Sequence, residues 1–334
     1  MLLLLSLFGI VLQSYIYLFR ESYISELLIS FLPYAIGINF LLSFFALYKS
    51  ISNFLKKKIF LTVVWCMTSI ISFWFLISYL YPYIHTYTNI IPSNNQEQTL
   101  TLSGWLSFLY ANIYHKNKDF AGLLSTIQDH NPDIILLVEY AKIHDEYLSP
   151  LLKQKYPYVS RYVGGKWYDG DVIYSRYPLK KIKHEVYPWS FSHVSIEYNN
   201  KNIDFALIHT SAPVSEHFFT MRNEQLANLS DLMSKYHFEN PTKNMILVGD
   251  FNLSPWSYYY TSFDITMRSL WLSNITTHLS TTHYDTTYFP YTRCHEQAPY
   301  LCSHIDHIRS NESNISLEKI TIPWSDHDGF VGKI

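Results

Sequence analysis

The chain has 334 residues, of which 48% are hydrophobic and only 16% are charged, and its formal net charge is −2. This length accommodates one large domain or two small ones. The nearly balanced charge excludes a protein whose whole surface is basic, so it gives no support for binding that relies on non-specific attraction to phosphate groups.

Much of the hydrophobicity is concentrated near the N-terminus, in three long apolar segments. They run from Met1 to Phe19, from Leu27 to Tyr48 and from Ile59 to Tyr81. Each has close to the roughly 20 residues that a helix needs to cross a bilayer, whereas a buried core helix is the alternative for any single segment. We therefore predict an anchor of three transmembrane helices over residues 1–81, with the first segment retained rather than cleaved as a signal peptide.

The short loops between these segments predict an orientation. The loop YKSISNFLKKK, between the second and third segments, carries four lysines, whereas the other loop has one arginine balanced by two glutamates. By the positive-inside rule, the lysine-rich loop and the N-terminus are expected in the cytoplasm, and everything after the third segment is expected outside.

A linker and one further domain are predicted after the apolar segments. Residues 82–100 are polar and rich in turn formers, which is typical of a linker, and residues 101–334 form the domain. This domain contains Cys294 and Cys302, which lie in a loop-like stretch. In an oxidising compartment they could form a disulfide, but two free thiols fit the sequence almost as well.

Strands alternate with amphipathic segments throughout this domain, which predicts one α/β domain with a substantial core. The clearest helix is predicted from Ser215 to Tyr236, where apolar residues recur at helical spacing, and a second from Phe120 to Asp129. Arg222 and Gln225 lie one turn apart on the same face of the first helix. Helix packing or a buried ion pair explains this spacing as well as a functional role does.

Polar side chains stand at or near the ends of the predicted strands. In the stretch NMILVGDFNLSPWS, a buried strand stops at Gly249, and Asp250 and Asn252 point the same way if the strand continues. The full set consists of Asn112, Glu139, His209, Asp250, Asn252, Asp306, Asp326 and His327. Carboxylate and amide oxygens suit Mg²⁺ or Mn²⁺, and a His paired with an Asp suits acid–base chemistry. The set predicts a site for a divalent cation and a phosphate.

A series of motifs, in the same order and at comparable spacing, resembles the endonuclease/exonuclease/phosphatase superfamily. That superfamily includes pancreatic-type deoxyribonucleases, abasic-site endonucleases, sphingomyelinases and inositol polyphosphate phosphatases. The motifs are YANIYHKN, PDIILLVEY, IYSRYPL, ALIHTSAP, LVGDFNLSPWS, SHIDHI and SDHDGF. The resemblance covers residues 102–334. It implies a four-layer α/β sandwich in which two packed mixed β-sheets are flanked by helices, here preceded by the three transmembrane α-helices.

The resemblance also implies a metal site that holds Mg²⁺ or Mn²⁺. Glu139 corresponds to the principal metal ligand of the family and Asn112 to its metal-site asparagine. Asp326, in the SDHDGF motif, is expected to bind the metal directly or through water. The motif departs from the family after His327, where Asp328 and Gly329 replace the usual small or basic residue and proline.

Five residues correspond to the catalytic set of the family. His209 is expected to contact the phosphate, and Asp250 and Asn252 are expected to hold the scissile phosphate and its attacking water. Asp306 corresponds to the aspartate that orients the catalytic histidine, His327.

The resemblance therefore implies metal-dependent hydrolysis of a phosphate ester, with a phosphodiester favoured over a monoester. It implies a membrane-anchored bacterial type, which together with the orientation predicted from the loops predicts a protein of the inner membrane with a cytoplasmic N-terminus and a periplasmic catalytic domain. An inactive binding module on the same fold is the alternative, and a membrane scaffold or transport component is a third hypothesis.

The substrate stays undecided between nucleic acid and a phospholipid or sphingolipid, and no protein partner is predicted. The first 81 residues hold five basic and two acidic residues, which leaves 20 basic against 25 acidic residues in the rest. Such a balance does not exclude a local basic groove. The candidates to line one are the basic residues Lys153, Lys155, Lys166 and Lys180 to Lys183 and the aromatic residues Trp167, Tyr168 and Trp256.

Overall fold

The structure is a computed structural model. It describes most of the chain, which is divided into two units. The described residues are 2–29, 32–88, 105–162, 170–182, 191–270, 272–274, 291–295, 298–312 and 315–334. One unit comprises Met1–Gln98 and Trp256–Tyr258, and the other comprises Thr99–Pro255 and Tyr259–Ile334. Part of the predicted linker, and the candidates Lys166, Trp167, Tyr168 and Lys183, lie outside the described residues.

The N-terminal unit is helical. Its helices are α1 (Leu2–Leu18), α2 (Tyr23–Ile29), α3 (Leu32–Leu55) and α4 (Ile59–Thr88). Helices α3 and α4 pack along each other through small polar contacts, since the Ser69 hydroxyl donates to the Ser43 carbonyl at 3.3 Å. The rings of Phe45 and Trp65 meet edge to face at 5.6 Å in the same interface.

The prediction of three transmembrane helices is wrong, because within the described residues no helix combines the length and the apolar character that crossing a membrane requires. The first predicted span is a helix of 17 residues, and the second is divided between α2 and α3. Polar residues such as Gln13, Ser43 and Ser69 are buried within these helices. A count of apolar residues along the chain does not reveal where a helix ends or which polar residues are buried within it. The predicted multi-pass localisation is wrong for the same reason, and attachment to a membrane through these helices is not supported.

The second unit contains two six-stranded sheets. The strands of the first sheet are β1 (Ser107–Asn112), β2 (Ile134–Val138), β3 (Tyr158–Tyr162), β4 (Asp171–Ser175), β13 (Ser316–Thr321) and β14 (Asp328–Lys333), in the order β13-β14-β1-β2-β4-β3. The strands of the second sheet are β5 (Lys180–Lys181), β6 (Phe191–Tyr198), β7 (Lys201–His209), β8 (Asn244–Asp250), β9 (Ser273–Asn274) and β12 (Asp306–Ser310), in the order β5-β6-β7-β8-β12-β9. A separate hairpin joins β10 (Arg293–His295) to β11 (Ala298–Ser303).

Helices cover the outer face of each sheet. They are α5 (Phe120–His130), α6 (Lys142–Leu152), α7 (Glu216–Glu239) and α8 (Tyr258–Ser269). Leu123 of α5 and Leu148 of α6 pack on the first sheet, whereas Leu229 of α7 and Met267 of α8 pack on the second. A third apolar cluster fills the space between the two sheets. This is the four-layer α/β sandwich that the resemblance implies.

The central strands read as continuous apolar runs because both of their faces are buried. In β1, Phe108 and Tyr110 face the other sheet, and Leu109 and Ala111 face the helices. This alternation follows from the two-residue period of a strand. Each fully buried large apolar side chain contributes about 1.5–3 kcal/mol to folding.

The two predicted helices are confirmed, since they correspond to α7 and α5. Polar side chains cap both helices near the predicted positions. The Ser215 hydroxyl accepts from the Phe218 amide at the start of α7, and the Asp119 carboxylate accepts from the Gly122 amide at the start of α5. Such caps satisfy amides that the helix cannot pair, and each contributes about 1 kcal/mol. At the end of α5, Asn131 adopts a left-handed conformation with φ 48°.

Strand register brings the polar strand ends together. Strands β1 and β2 are parallel and pair Asn112 with Val138, so Glu139 comes directly after β2 at the same edge. Strands β7 and β8 are parallel and pair His209 with Asp250, and antiparallel β12 pairs Asp306 with the same Asp250.

Gly249 permits a close approach of β8 to β7, and we predict that Gly249→Ala destabilises the domain. A Cβ atom at this position would lie 1.9 Å from the Ile208 carbonyl oxygen, so the two strands would have to separate. The expected loss is about 1–3 kcal/mol or more, as for other overpacked cores. Denaturant unfolding of the variant measures it, and an unfolding midpoint equal to that of the wild type would contradict the prediction.

Candidate active site

Asn112 joins acidic groups from both sheets. Its side-chain amide donates to Glu139 Oε1 of the first sheet and to Asp250 Oδ2 of the second, at 3.0 Å each. Asn112 is fully buried, and Asp250 is almost so. Two carboxylates that converge in a buried place repel each other unless positive charge lies between them. The centre of the site is therefore suited to a cation.

Glu139 is held in place by the loop that follows β1. Its Oε2 accepts from the His115 backbone amide at 2.9 Å and lies 2.6 Å from His115 Nδ1. Burial alone would raise the pKa of Glu139, but these hydrogen bonds and the nearby His209 hold it well below its ordinary value. Glu139 also has a φ of 57°, in the left-handed region that non-glycine residues seldom adopt. The residue stays ionised, in a conformation that the surrounding contacts impose.

Asp306 and His327 form a buried hydrogen-bonded pair. Asp306 Oδ2 lies 2.8 Å from His327 Nδ1, and the Tyr110 hydroxyl donates to Asp306 Oδ1 at 2.6 Å. Burial would lower the pKa of His327, but the charge of Asp306 and its hydrogen bond raise it to about 9. Burial and Asp306 raise the pKa of Tyr110 well above its ordinary value, so its hydroxyl remains a donor. His327 Nε2 then faces Asp250 Oδ2 at 3.7 Å.

Asp250 lies between the two groups of residues. Burial and the charge of Asp306 raise its pKa to about 6, against the opposing charges of His327 and His209. Its Oδ2 is 3.8 Å from His209 Nε2, which is also 3.9 Å from Glu139 Oε1. The Asn252 backbone amide donates to Asp250 Oδ1 at 2.8 Å. Asn252 itself has a φ of 45°, and its side-chain amide donates to the Thr210 carbonyl.

Asp326 lies at the margin of this arrangement. Its Oδ2 accepts from Arg293 Nε at 2.8 Å, and its Oδ1 is 3.9 Å from His327 Nε2. Among the described residues, two groups could hold a metal ion: Glu139, His209 and Asp250, or Asp250, Asp306 and His327, with ligand atoms within 4.8 Å of one another in each group. Asp326 belongs to neither, so its role as a metal ligand stays a prediction.

Helix α7 supports the loops of the site, a role that the sequence left open. Arg222 is fully buried, and its Nη1 donates to the Asn252 carbonyl at 2.7 Å. Gln225 Oε1 accepts from the Ser211 amide at 2.7 Å, just beyond His209. The signal for this role in the sequence was the one-turn spacing of Arg222 and Gln225 on the helix. The partners are backbone atoms of distant loops, so the sequence could not identify them.

The β10–β11 hairpin supports the Asp–His pair from the other side. Cys294 and Cys302 form a disulfide across this hairpin, which settles the alternative that the sequence left open. The Cys294 amide donates to the Asp326 carbonyl at 2.9 Å. The Thr292 hydroxyl accepts from the Asp306 amide at 3.0 Å. Sequence reasoning missed both Thr292 and His115. Thr292 lies outside the motifs that carry the resemblance, and His115 lies inside the motif YANIYHKN but at none of its metal or catalytic positions.

The fold and the site together define a phosphoesterase of the kind that the motifs imply, and comparison with known proteins agrees. A sequence model of the "Endonuclease/Exonuclease/phosphatase family" matches residues 109–327, more than half of the chain. The chain belongs to this family. It is a metal-dependent phosphoesterase, a nuclease-like hydrolase, and its cofactor is a divalent metal ion such as Mg²⁺. None of the curated protein sequences compared with it is significantly similar.

Three solved structures illustrate the similarity of fold. A beta toxin from Staphylococcus aureus with bound magnesium ions is 20% identical, with a TM-score of 0.50 over 69% of this chain and 99% of its own. Truncated TDP2 from Caenorhabditis elegans is 13% identical, with a TM-score of 0.52 over 69% and 96%. The human Nocturnin catalytic domain with a bound sulfate is 17% identical, with a TM-score of 0.50 over 69% and 93%.

The residues at the centre of the site fit the divalent metal of the family. Glu139 is ionised and lies at the surface of the site with its Oε1 directed towards Asn112, His209 and Asp250. Carboxylate oxygens with one imidazole are suitable ligands for Mg²⁺ and Mn²⁺. Glu139 is therefore the residue that would hold the ion, and the Asn112 amide, which donates to its Oε1, would orient it.

We predict that Glu139→Gln weakens the binding of Mn²⁺ by about tenfold or more, because it removes the ionised ligand while preserving the shape of the side chain. Titration calorimetry with the full-length chain measures the change. Glu146→Gln is the matched control, since Glu146 is exposed on α6, where it pairs with Lys142 at 3.7 Å. Equal Mn²⁺ affinities for the wild type and Glu139→Gln would contradict this assignment.

Proposed function

We propose that the protein hydrolyses phosphodiesters, with Asp250 as the base that activates water and His327 as the acid that protonates the leaving oxygen. The position of Asp250 carries this proposal. It lies between the ionised Glu139 on one side and the Asp306–His327 pair on the other, within 3.7–3.8 Å of His327 Nε2 and His209 Nε2. A phosphate bound there would meet a carboxylate base, an imidazolium acid and the metal site at once.

The protonation states of the two residues suit these roles at neutral pH. Asp250, with a pKa of about 6, is mostly deprotonated at pH 7 and is a stronger base than an ordinary aspartate. His327, with a pKa of about 9, is protonated, and Asp306 fixes its Nδ1 so that Nε2 carries the transferable proton.

The reaction balances with these groups alone as acid and base. The oxygen of water attacks phosphorus while its proton passes to Asp250, and the bond to the leaving oxygen breaks as His327 Nε2 gives that oxygen a proton. His209 and the Asn252 side chain would contact the phosphate oxygens. A bound divalent metal ion supplies charge neutralisation at the phosphate and at the leaving oxygen.

The charge of the site favours a diester over a monoester. Glu139, Asp250 and Asp306 place three carboxyl groups around the reacting position. A monoester brings close to two negative charges at neutral pH, whereas a diester brings one. The carboxylates of the site therefore repel a diester less strongly than a monoester.

An inactive binding module is the competing function, and the completeness of the site weighs against it. All eight sequence-predicted residues lie at the same edge of the sandwich, and the acid, the base and the metal ligands keep their hydrogen-bond partners. A module that only binds a phosphate has no need of a buried aspartate that raises the pKa of a neighbouring histidine, as Asp306 does for His327.

We expect His327→Ala to lower kcat by about 10²–10⁴-fold, which is the usual contribution of a positioned acid. Hydrolysis of bis-p-nitrophenyl phosphate, plasmid DNA and sphingomyelin by the full-length chain, with Mg²⁺ or with EDTA, provides the measurement. His237→Ala is the control, because His237 lies in the last turn of α7, whereas Arg222 near the start of that helix contacts the site. A folded His327→Ala variant with wild-type activity would contradict the mechanism.

The pH profile provides a separate test. The rate requires deprotonated Asp250 and protonated His327, so kcat/KM should rise through about pH 6 and fall through about pH 9. These limits belong to the interacting pair rather than to each residue alone. Asp306→Asn removes the charge that raises the pKa of His327, so the alkaline limb should move to lower pH. An alkaline limb that does not move in Asp306→Asn would exclude His327 as the acid.

A further inference from the structure

A cleft of about 940 Å³ continues from the catalytic histidine between the loop after β1, strand β10 and the turn before β14. His327 and Asp326 form one end of it, and the loop after β1 and the turn before Asp326 form its walls. The Asn117 side-chain amide donates to the Pro323 carbonyl at 2.7 Å and ties the loop to the turn. The cleft is thus a fixed continuation of the site, with room for the part of a substrate that adjoins the scissile phosphate.

The two lysines of the cleft have no carboxylate partner among the described residues, whereas the acids of the cleft are already engaged. Lys116 and Lys118 are exposed on the loop after β1, and neither has a carboxylate partner among the described residues. Asp119 caps α5, Asp326 pairs with Arg293, and Asp328 pairs with Lys319 at 2.9 Å. The available charge in the cleft is therefore positive, although the domain as a whole is acidic.

Trp324 presents a bare aromatic face to the same cleft. Its side chain is 81% exposed, although a tryptophan usually buries most of its surface. Its φ of 57° lies in the left-handed region, which is costly for a bulky side chain. On either side of it, the Pro323 carbonyl accepts from Asn117 and the Ser325 hydroxyl donates to the Asn112 carbonyl at 2.8 Å. Contacts of the site thus maintain an unfavourable conformation that keeps the ring in solvent, as is common at functional positions.

We propose that this cleft binds a single-stranded nucleic acid next to the scissile phosphate, with Trp324 stacked on an unpaired base and with Lys116 and Lys118 each contacting a neighbouring phosphate. The inference rests on the proposed phosphodiesterase function and names its substrate. Single-strand sites combine cationic side chains that follow the backbone with aromatic side chains on which bases stack. A base inside a duplex has no free face for Trp324.

The same charges disfavour a lipid with a choline headgroup. An exposed tryptophan can bind a quaternary ammonium group through its ring face. Lys116 and Lys118 would repel that cation, because they line the same cleft and neither has an acidic partner in the part of the chain that the structure describes. They attract the additional phosphates of a nucleic acid strand instead.

Two variants of the full-length chain test the proposal, and each has its own probe. Trp324→Ala should lower kcat/KM on a ten-nucleotide oligothymidylate by about 5- to 100-fold, which is the range for loss of one stacked base. On an abasic strand of the same length, Trp324→Ala and the wild type should have the same kcat/KM. Trp324→Phe should keep most of the rate. The control is Phe238→Ala, since Phe238 is 87% exposed near the far end of α7.

The double variant Lys116→Gln/Lys118→Gln tests the phosphate contact. It should reduce kcat/KM on the oligothymidylate. It should also make log kcat/KM fall less steeply with the logarithm of the salt concentration, with a slope smaller in magnitude by about 1.4, as expected for two lost phosphate contacts to a single strand. A dinucleoside monophosphate, whose one phosphate is the scissile group, should react as with the wild type. The control is Lys201→Gln/Lys235→Gln, with Lys201 at the end of β7 opposite His209.

The outcomes separate this inference from the proposed function. A wild-type chain that hydrolyses no phosphodiester, including bis-p-nitrophenyl phosphate, overturns both. A wild-type chain that hydrolyses bis-p-nitrophenyl phosphate, together with cleft variants that match their controls on the oligothymidylate, overturns only the cleft assignment. A preference of the wild type for sphingomyelin vesicles over the single strand, or for duplex over single strand, also overturns it.

Discussion

The site depends on one amide group that bridges two sheets. Asn112 donates to Glu139 from the first sheet and to Asp250 from the second, each at 3.0 Å. Without a donor or a cation between them, the two carboxylates would repel each other in a buried setting. The packing of Phe108 against Phe205 between the sheets, at 5.8 Å, fixes the distance over which this bridge operates. The site is therefore a product of the sandwich, because neither sheet holds both acids.

The polar partners of the site are supplied by elements that lie outside the catalytic motifs. Helix α7 holds the Asn252 loop through Arg222, and the β10–β11 hairpin holds Asp326 through Arg293 and Cys294. The positive φ angle at Asn252 is maintained by the contact with Arg222, and the one at Glu139 by the contacts of its carboxylate with His115. Such strain is typical of preorganised sites, where the rest of the fold offsets its cost.

Much of the second unit could be predicted from its sequence, because strands that are buried on both faces read as apolar runs and the site residues follow their ends. Glu139 and Asp250 were found in this way, whereas His327, which precedes β14, was found through the SDHDGF motif. The supporting contacts could not be predicted: Tyr110 reads as one more apolar strand residue, and its bond to Asp306 spans 196 positions of the chain. The transmembrane prediction failed for a different reason. A count of apolar residues does not reveal where a helix ends, so the second segment was taken as one span although it is divided between α2 and α3.

A crystal structure of the full-length chain grown with Mn²⁺ tests the central claim most directly, since anomalous scattering locates the ion independently of activity. The account predicts a manganese peak bonded to Glu139, beside His209 and Asp250 at the convergence of the two sheets. A peak beside Asp326 with none at Glu139, or no peak at the convergence of the two sheets, would contradict it.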